Sequence, residues 1–264
     1  MTDPSAAIQS STTTWRMIAR VLIKAALLLA ACNVLFALLK PIDALGAVSL
    51  YNVVLPGRAR LPYGEDAARS YNLSLFNLPA MFSSHVVARP KAADEFRVIV
   101  IGDSGVWGWL LKHEDTLAAQ LNALGLTTPA GKRVVAYNLG YPILALTKDL
   151  LILDEALKRR PDLIVWPITL DSLPRDKQLF SPLVQHNADR VRRLIEQYNL
   201  KLAQHDPRLI TRSFWDETII GRRRDLADWL RLQTYGFSWA ATGVDQYIPD
   251  QIKLRQSDFE ADIA

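Results

Sequence analysis

The chain has 264 residues, half of them hydrophobic, a formal net charge of +4 from 31 basic and 27 acidic residues, and a single cysteine. That length accommodates one domain with an appendage. One cysteine excludes a disulfide framework and a cysteine metal cluster, and basic residues dispersed among acidic ones give no nucleic-acid footprint.

Residues 1–14 are polar, rich in Ser and Thr and free of hydrophobic periodicity, the composition of a disordered leader. Val21–Leu39, VLIKAALLLAACNVLFALL, reads as a membrane helix placed over 15–40, because as a helix it spans about 28 Å, close to a bilayer core. Lys24 is near enough to one end to snorkel, Asn33 is tolerated at modest cost, and Trp15 suits an interfacial anchor. A cleaved signal peptide and a lipoprotein signal compete with this reading, since Leu29-Ala30-Ala31-Cys32 has lipobox spacing. The apolar run continues for seven residues beyond Cys32, which favours a retained span in contact with the lipid bilayer. Arg16, Arg20 and Lys24 against Lys40 orient the N-terminus to the cytoplasm and the main domain outside it.

Residues 41–95 are broken by prolines and glycines and read as an irregular connector packing on the domain, with Tyr51, Tyr71, Phe76 and Phe82 as surface to bury. A regular pattern then begins. FRVIVIGDS at 96–104 predicts a strand buried on both faces, KRVVAYNLG at 132–140 a second, and DLIVWPIT at 162–169 a third. Between them, Asp115 is placed to cap a helix carrying Leu117, Leu121 and Leu124. Leu146, Leu150, Leu153 and Leu157 stripe another, which ends at Lys158, Arg159 and Arg160.

Strand and helix alternating through short connections predicts parallel strands with right-handed crossovers, hence an α/β, three-layer, doubly wound sheet over 96–264. Further on, Val191, Leu194 and Tyr198 share one helical face and Ile219, Leu226 and Leu230 another, giving a helical insertion over 182–243. The run Arg222-Arg223-Arg224 reads as a solvated helix face. Ser213–Gly243 mixes tryptophans with arginines and is expected to pack over the sheet, with a membrane-surface amphipathic element as the alternative. Three strands make a small doubly wound sheet, so the domain is expected to be C-terminally incomplete.

In an open α/β sheet, ligands bind outside the carboxyl ends of the strands. There stand Gly102-Asp103-Ser104-Gly105 after the first predicted strand and Asn138-Leu139-Gly140 at the end of the second. Small residues let a serine hydroxyl project from a tight turn and let backbone N–H groups approach a developing oxyanion. FRVIVIGDSGVWGWLL, VVAYNLGYPILALTKDLLIL and PDLIVWPITLDSL together resemble three blocks of the SGNH (GDSL-like) hydrolase family over residues 94–175. The resemblance implies a flavodoxin-like sheet and ester hydrolysis or acyl transfer through an acyl-serine, with no cofactor or metal. It makes Ser104 the nucleophile, with the backbone N–H groups of Ser104 and Gly140 as oxyanion donors.

The chain departs from the family pattern twice. Where the third block carries Asn-Asp, this sequence reads Thr169-Leu170-Asp171; Asp171 matches the Asp, Leu170 cannot donate a hydrogen bond, and Thr169 is the available substitute. The Asp-x-x-His block that supplies the base has no counterpart, since His85, His113, His186 and His205 all stand in other contexts. Loss of a triad histidine costs up to about 10⁶-fold in rate. Two functions follow as expectations: a membrane-tethered esterase or O-acyl hydrolase, or an O-acyltransferase, acting on an acylated envelope glycan or lipid; and a non-catalytic membrane-anchored scaffold on the same fold.

Overall fold

The computed structural model describes residues 4–64 and 72–242, the side chains of 4–14 excepted. The chain divides into two compact units, one built from the N-terminal helix with residues 212–224, the other from 42–211 with 225–242.

In the first unit, α1 runs Pro4–Leu39, so residues 4–14 are helical where composition predicts a disordered leader. Its stretch Trp15–Leu39 is long and apolar enough to cross a membrane. The polar exception in that stretch is satisfied locally: Asn33 Nδ2 donates to Leu29 O at 2.9 Å and Oδ1 accepts from Ile220 N at 3.2 Å. Cys32 is exposed on the same helix. Arg222 does not belong to a solvated face; it is buried, with its guanidinium 3.8 Å from Glu217.

The second unit is built on a three-stranded parallel sheet, β1 Glu95–Gly102, β2 Arg133–Gly140 and β3 Leu163–Val165, in the order β2-β1-β3. Register runs from Glu95 opposite Arg133 to Gly102 opposite Gly140, with Val98–Val100 opposite Leu163–Val165. The alternation of β1 sends side chains to two cores. Val98 and Val100 pack with Val106, Ala118, Ala136 and Leu121, under α5 Ser104–Trp107 and α6 Leu117–Ala123. Ile99 and Ile101 join Leu139, Leu151, Ile152 and Val191, under α7 Leu146–Leu157 and α9 Ala188–Gln197. Helices on both faces with a sheet between them make an α/β, three-layer unit.

The connector supplies core. Its helices are α2 Ile42–Gly46, α3 Leu50–Val54 and α4 Leu78–Ser83, and Leu61, Leu78, Met81, Phe82 and Val87 belong to the larger core. Tyr51 and Phe76 are buried as expected; Tyr71 lies outside the described residues.

Other expectations shift. Thr116, not Asp115, caps α6, accepting from Ala119 N, and Leu117 and Leu124 are exposed while Ala118 is buried. On α7 the buried positions are Thr147, Lys148, Asp149, Leu151, Ile152, Glu155 and Ala156, while Leu157 is exposed. The leucine stripe is therefore offset from the centre of the buried face, with Leu150 and Leu153 bordering the core and polar side chains that find partners sharing the fully buried positions. The third strand pairs only over Leu163–Val165, and residues 166–169 continue outside the ladder.

The predicted insertion resolves into α8 Pro182–His186, α9, and α10 Arg223–Thr242. Val191 and Leu194 are buried, but Tyr198 is exposed, and Ile219 precedes α10 instead of sharing a face with Leu230, which is exposed. Residues 225–242 of α10 lean on the connector, not on the sheet. Trp229 Nε1 donates to Leu45 O at 2.8 Å, Gln233 bridges Val48 O and Leu50 N at 2.9 Å each, and Gly236 lies so close to the Tyr51 ring that a Cβ would come within 2.0 Å of it.

Candidate functional site at the carboxyl edge of the sheet

β1 ends at Gly102, and the next two residues turn the chain into α5. Asp103 takes extended backbone and caps that helix, its Oδ1 accepting from Gly105 N at 2.8 Å. Ser104 is the first helical residue and half-buried, and its hydroxyl makes no hydrogen bond among the described residues. Two glycines permit this close turn. A Cβ on Gly102 would lie 2.6 Å from Val106 Cγ2, and one on Gly140 would lie 2.3 Å from the Trp107 backbone nitrogen. The backbone of α5 therefore rests directly on the end of β2, which brings Gly140 beside the turn that carries Ser104.

The carboxyl edge is laced by polar side chains. Thr169 Oγ1 donates to Asp103 Oδ2, joining the segment after β3 to the end of β1. Asn138, buried on β2, donates from Nδ2 to Val106 O at 2.9 Å and accepts at Oδ1 from Gly140 N at 3.0 Å. Beneath the turn lies Lys148 of α7, fully buried. Its ammonium donates to Gly102 O and Tyr141 O, both at 2.9 Å, and to Asp149 Oδ1, while Trp166 Nε1 donates to Asp149 Oδ2 at 3.3 Å. Burial pushes the Lys148 ammonium down and the Asp149 carboxyl up, each opposed by the other's charge.

An aromatic cluster stands next to the turn. Tyr63 meets Trp107, Trp109 and Tyr141 edge-on with centroids 6.3, 5.9 and 5.4 Å apart, and Trp109 N donates to Ser104 O at 2.9 Å. Trp109 is 45 % exposed, so the cluster has an open apolar side. Arg60 fixes the loop behind it by donating to Gly108 O at 3.2 Å and Leu111 O at 2.8 Å.

The residues singled out from sequence separate into two groups. Ser104, Gly140 and Thr169 come together at this edge. Asp171 does not join them: its carboxylate is exposed and paired with Lys177 at 2.8 Å. Leu170 is 80 % exposed. The Gly140 N–H and the Thr169 hydroxyl both have intramolecular acceptors, Asn138 and Asp103. None of the four histidines is hydrogen-bonded to Ser104. His85 is fully buried, its Nδ1 accepts from Val87 N at 3.0 Å, and burial, partly offset by the Ala59 and Asn138 backbone, lowers its pKa to about 4. His186 stacks on Phe76, and His113 and His205 lie exposed on the surface.

Asn138, Lys148, Asp149 and the Tyr63–Trp107–Trp109–Tyr141 cluster escaped sequence reasoning. The signal available for Lys148-Asp149 was a charged pair interrupting the apolar face of a helix that leads away from a strand end. Among the described residues no group of three or more His, Cys, Asp or Glu could hold a metal ion. No family model, curated protein or solved structure matches the chain.

Proposed function

We propose that the chain is a membrane-tethered α/β domain of the SGNH hydrolase type, in which Ser104 accepts the acyl group of an ester substrate. The observation that carries this reading is the unbonded Ser104 hydroxyl on a glycine-relieved turn at the carboxyl edge of a parallel sheet. The order β2-β1-β3 supports it as well, being the opening of a flavodoxin-like 2-1-3-4-5 sheet. Ser104 Oγ attacks the ester carbonyl and its proton passes to a base supplied from outside the described residues. The alcohol leaves with that proton, and water or a second hydroxyl then takes the acyl group. The open side of the Trp109 cluster gives the acyl chain an apolar wall. In this reading α1 spans the bilayer with its N-terminus in the cytoplasm, and the substrate is an acylated envelope glycan or lipid.

A fluorophosphonate probe on the full chain in membranes tests the nucleophile. It is expected to label wild-type protein and not Ser104→Ala; wild-type protein that stays unlabelled overturns it. A second reading, a non-catalytic scaffold, draws on the Gly140 N–H being taken by Asn138 Oδ1. It predicts that Ser104→Ala leaves cellular function intact and that Asn138→Ala does not increase labelling of Ser104.

A further inference from the structure

At the other end of the strands, about 23 Å along β1 from Ser104 at 3.3 Å per residue, the loops before β1, β2 and β3 enclose a cavity of about 540 Å³. Seven cationic side chains line it against two carboxylates, Glu95 and Asp162. Much of that positive charge has a partner. Arg97 is paired with Glu95 and donates to the carbonyls of Val87, Arg89 and Arg159. Lys91 is held by Asp162, Lys158 by Glu155, and Arg89 donates to the Asn52 and Leu55 carbonyls.

Three cations lack a hydrogen-bonded or ion-paired partner. The side chains of Lys132, Arg159 and Arg160 make no hydrogen bond or ion pair among the described residues, although the Lys132 charge helps to hold the Asp162 carboxyl down. Arg160 adds a sign of its own. It stands two residues past Lys158, the C-cap of α7, in the left-handed region at φ 55°, where glycine fits at roughly 1 kcal/mol less cost, yet the position carries an arginine beside the cavity. A strained residue that contributes a free charge to a concave surface marks a site more than a simple turn.

We infer that this cavity binds a phosphoryl anion carrying two or more negative charges, a pyrophosphate or a phosphomonoester. Seven lining cations against two carboxylates leave an excess of positive charge that matches it, arginine forks suit phosphate oxygens, and the volume falls within the range of small-ligand pockets. The group can arrive on a soluble molecule or as a lipid headgroup. The site is separate from the Ser104 edge and does not depend on its chemistry.

The test is calorimetric titration of the full chain in neutral detergent micelles with pyrophosphate. Saturable binding is expected, weakened about tenfold or more in a Lys132→Ala/Arg160→Gly variant and unchanged in Lys112→Ala, which removes an exposed cation elsewhere. Glycine at 160 removes the guanidinium while easing the backbone, so circular dichroism of the double variant should match the wild type. Short-chain phosphatidate that displaces pyrophosphate at lower concentration than a soluble phosphomonoester identifies a headgroup; the reverse order identifies a soluble ligand. Absence of saturable binding, or equal weakening by the Lys112 variant, overturns the proposal.

Discussion

At the scale of single residues, the turn at Ser104 rests on glycines that have no room for a methyl group. Gly140→Ala would drive a Cβ to 2.3 Å from a backbone nitrogen, an atom that cannot swing away. A loss of about 3 kcal/mol is expected in urea unfolding of the full chain in micelles, together with loss of probe labelling at Ser104. Trp109→Ala leaves that turn in place and opens the apolar wall. If the wall holds the acyl chain, KM should rise for long-chain esters and much less for acetyl esters, with kcat nearly constant.

His85 sets a pH dependence of its own. Its folded pKa of about 4 lies below the ordinary value of 6.5, so between those values the unfolded chain binds a proton that the folded one refuses. Stability is therefore full above pH 6.5 and falls as pH drops toward 4, by roughly 3 kcal/mol if the whole window is crossed. Urea midpoints at pH 7.0 and 4.5 measure this, and His85→Gln should flatten the difference.

At the scale of elements, the sheet was legible and the helical faces less so. Apolar β-branched runs ending in Gly102 and Gly140 are visible in one dimension because strands buried on both faces need them. The phase of α7 was partly hidden, since Leu150 and Leu153 only border the core while its buried face carries Lys148, Asp149 and Glu155 beside Leu151 and Ile152. Charged side chains can occupy a core face only where carbonyls and counter-charges await them, and besides nearby Tyr141 those partners come from Gly102, Trp166 and Arg190, well separated in sequence. The same reason hid Asn138: nothing local announces that its amide will clamp both α5 and Gly140. The placing of Ser104 and Gly140 at strand ends was readable because the demand is on their own backbone turns, whereas the exposed pairing of Asp171 with Lys177 depends on a turn the sequence does not announce. The buried pair gives an element-scale prediction. Lys148→Ala should cost about 3–5 kcal/mol in urea unfolding by leaving Asp149 unpaired, and Lys148→Met with Asp149→Leu should recover much of it.

For the whole molecule, α1 is long and apolar enough to cross a membrane, and two measurements test whether it does. The full chain should remain in the membrane pellet after an alkaline carbonate wash, and Leu28→Arg with Leu35→Arg should release it or prevent its insertion. Orientation is read by replacing exposed Lys201 with cysteine in a Cys32→Ala background. A membrane-impermeant maleimide added to intact cells should react with it if the α/β domain is extracytoplasmic, and only after lysis if it is not.

The left-handed arginine just past α7 sets two selective pressures against each other. A variant library sorted only for resistance to heat should drift at position 160 toward glycine or asparagine, which take that backbone with less strain. The same library sorted for capture on a phosphate resin should keep arginine there and give up the thermal gain. Sequencing both pools at this one codon would weigh what the fold prefers against what the cavity needs.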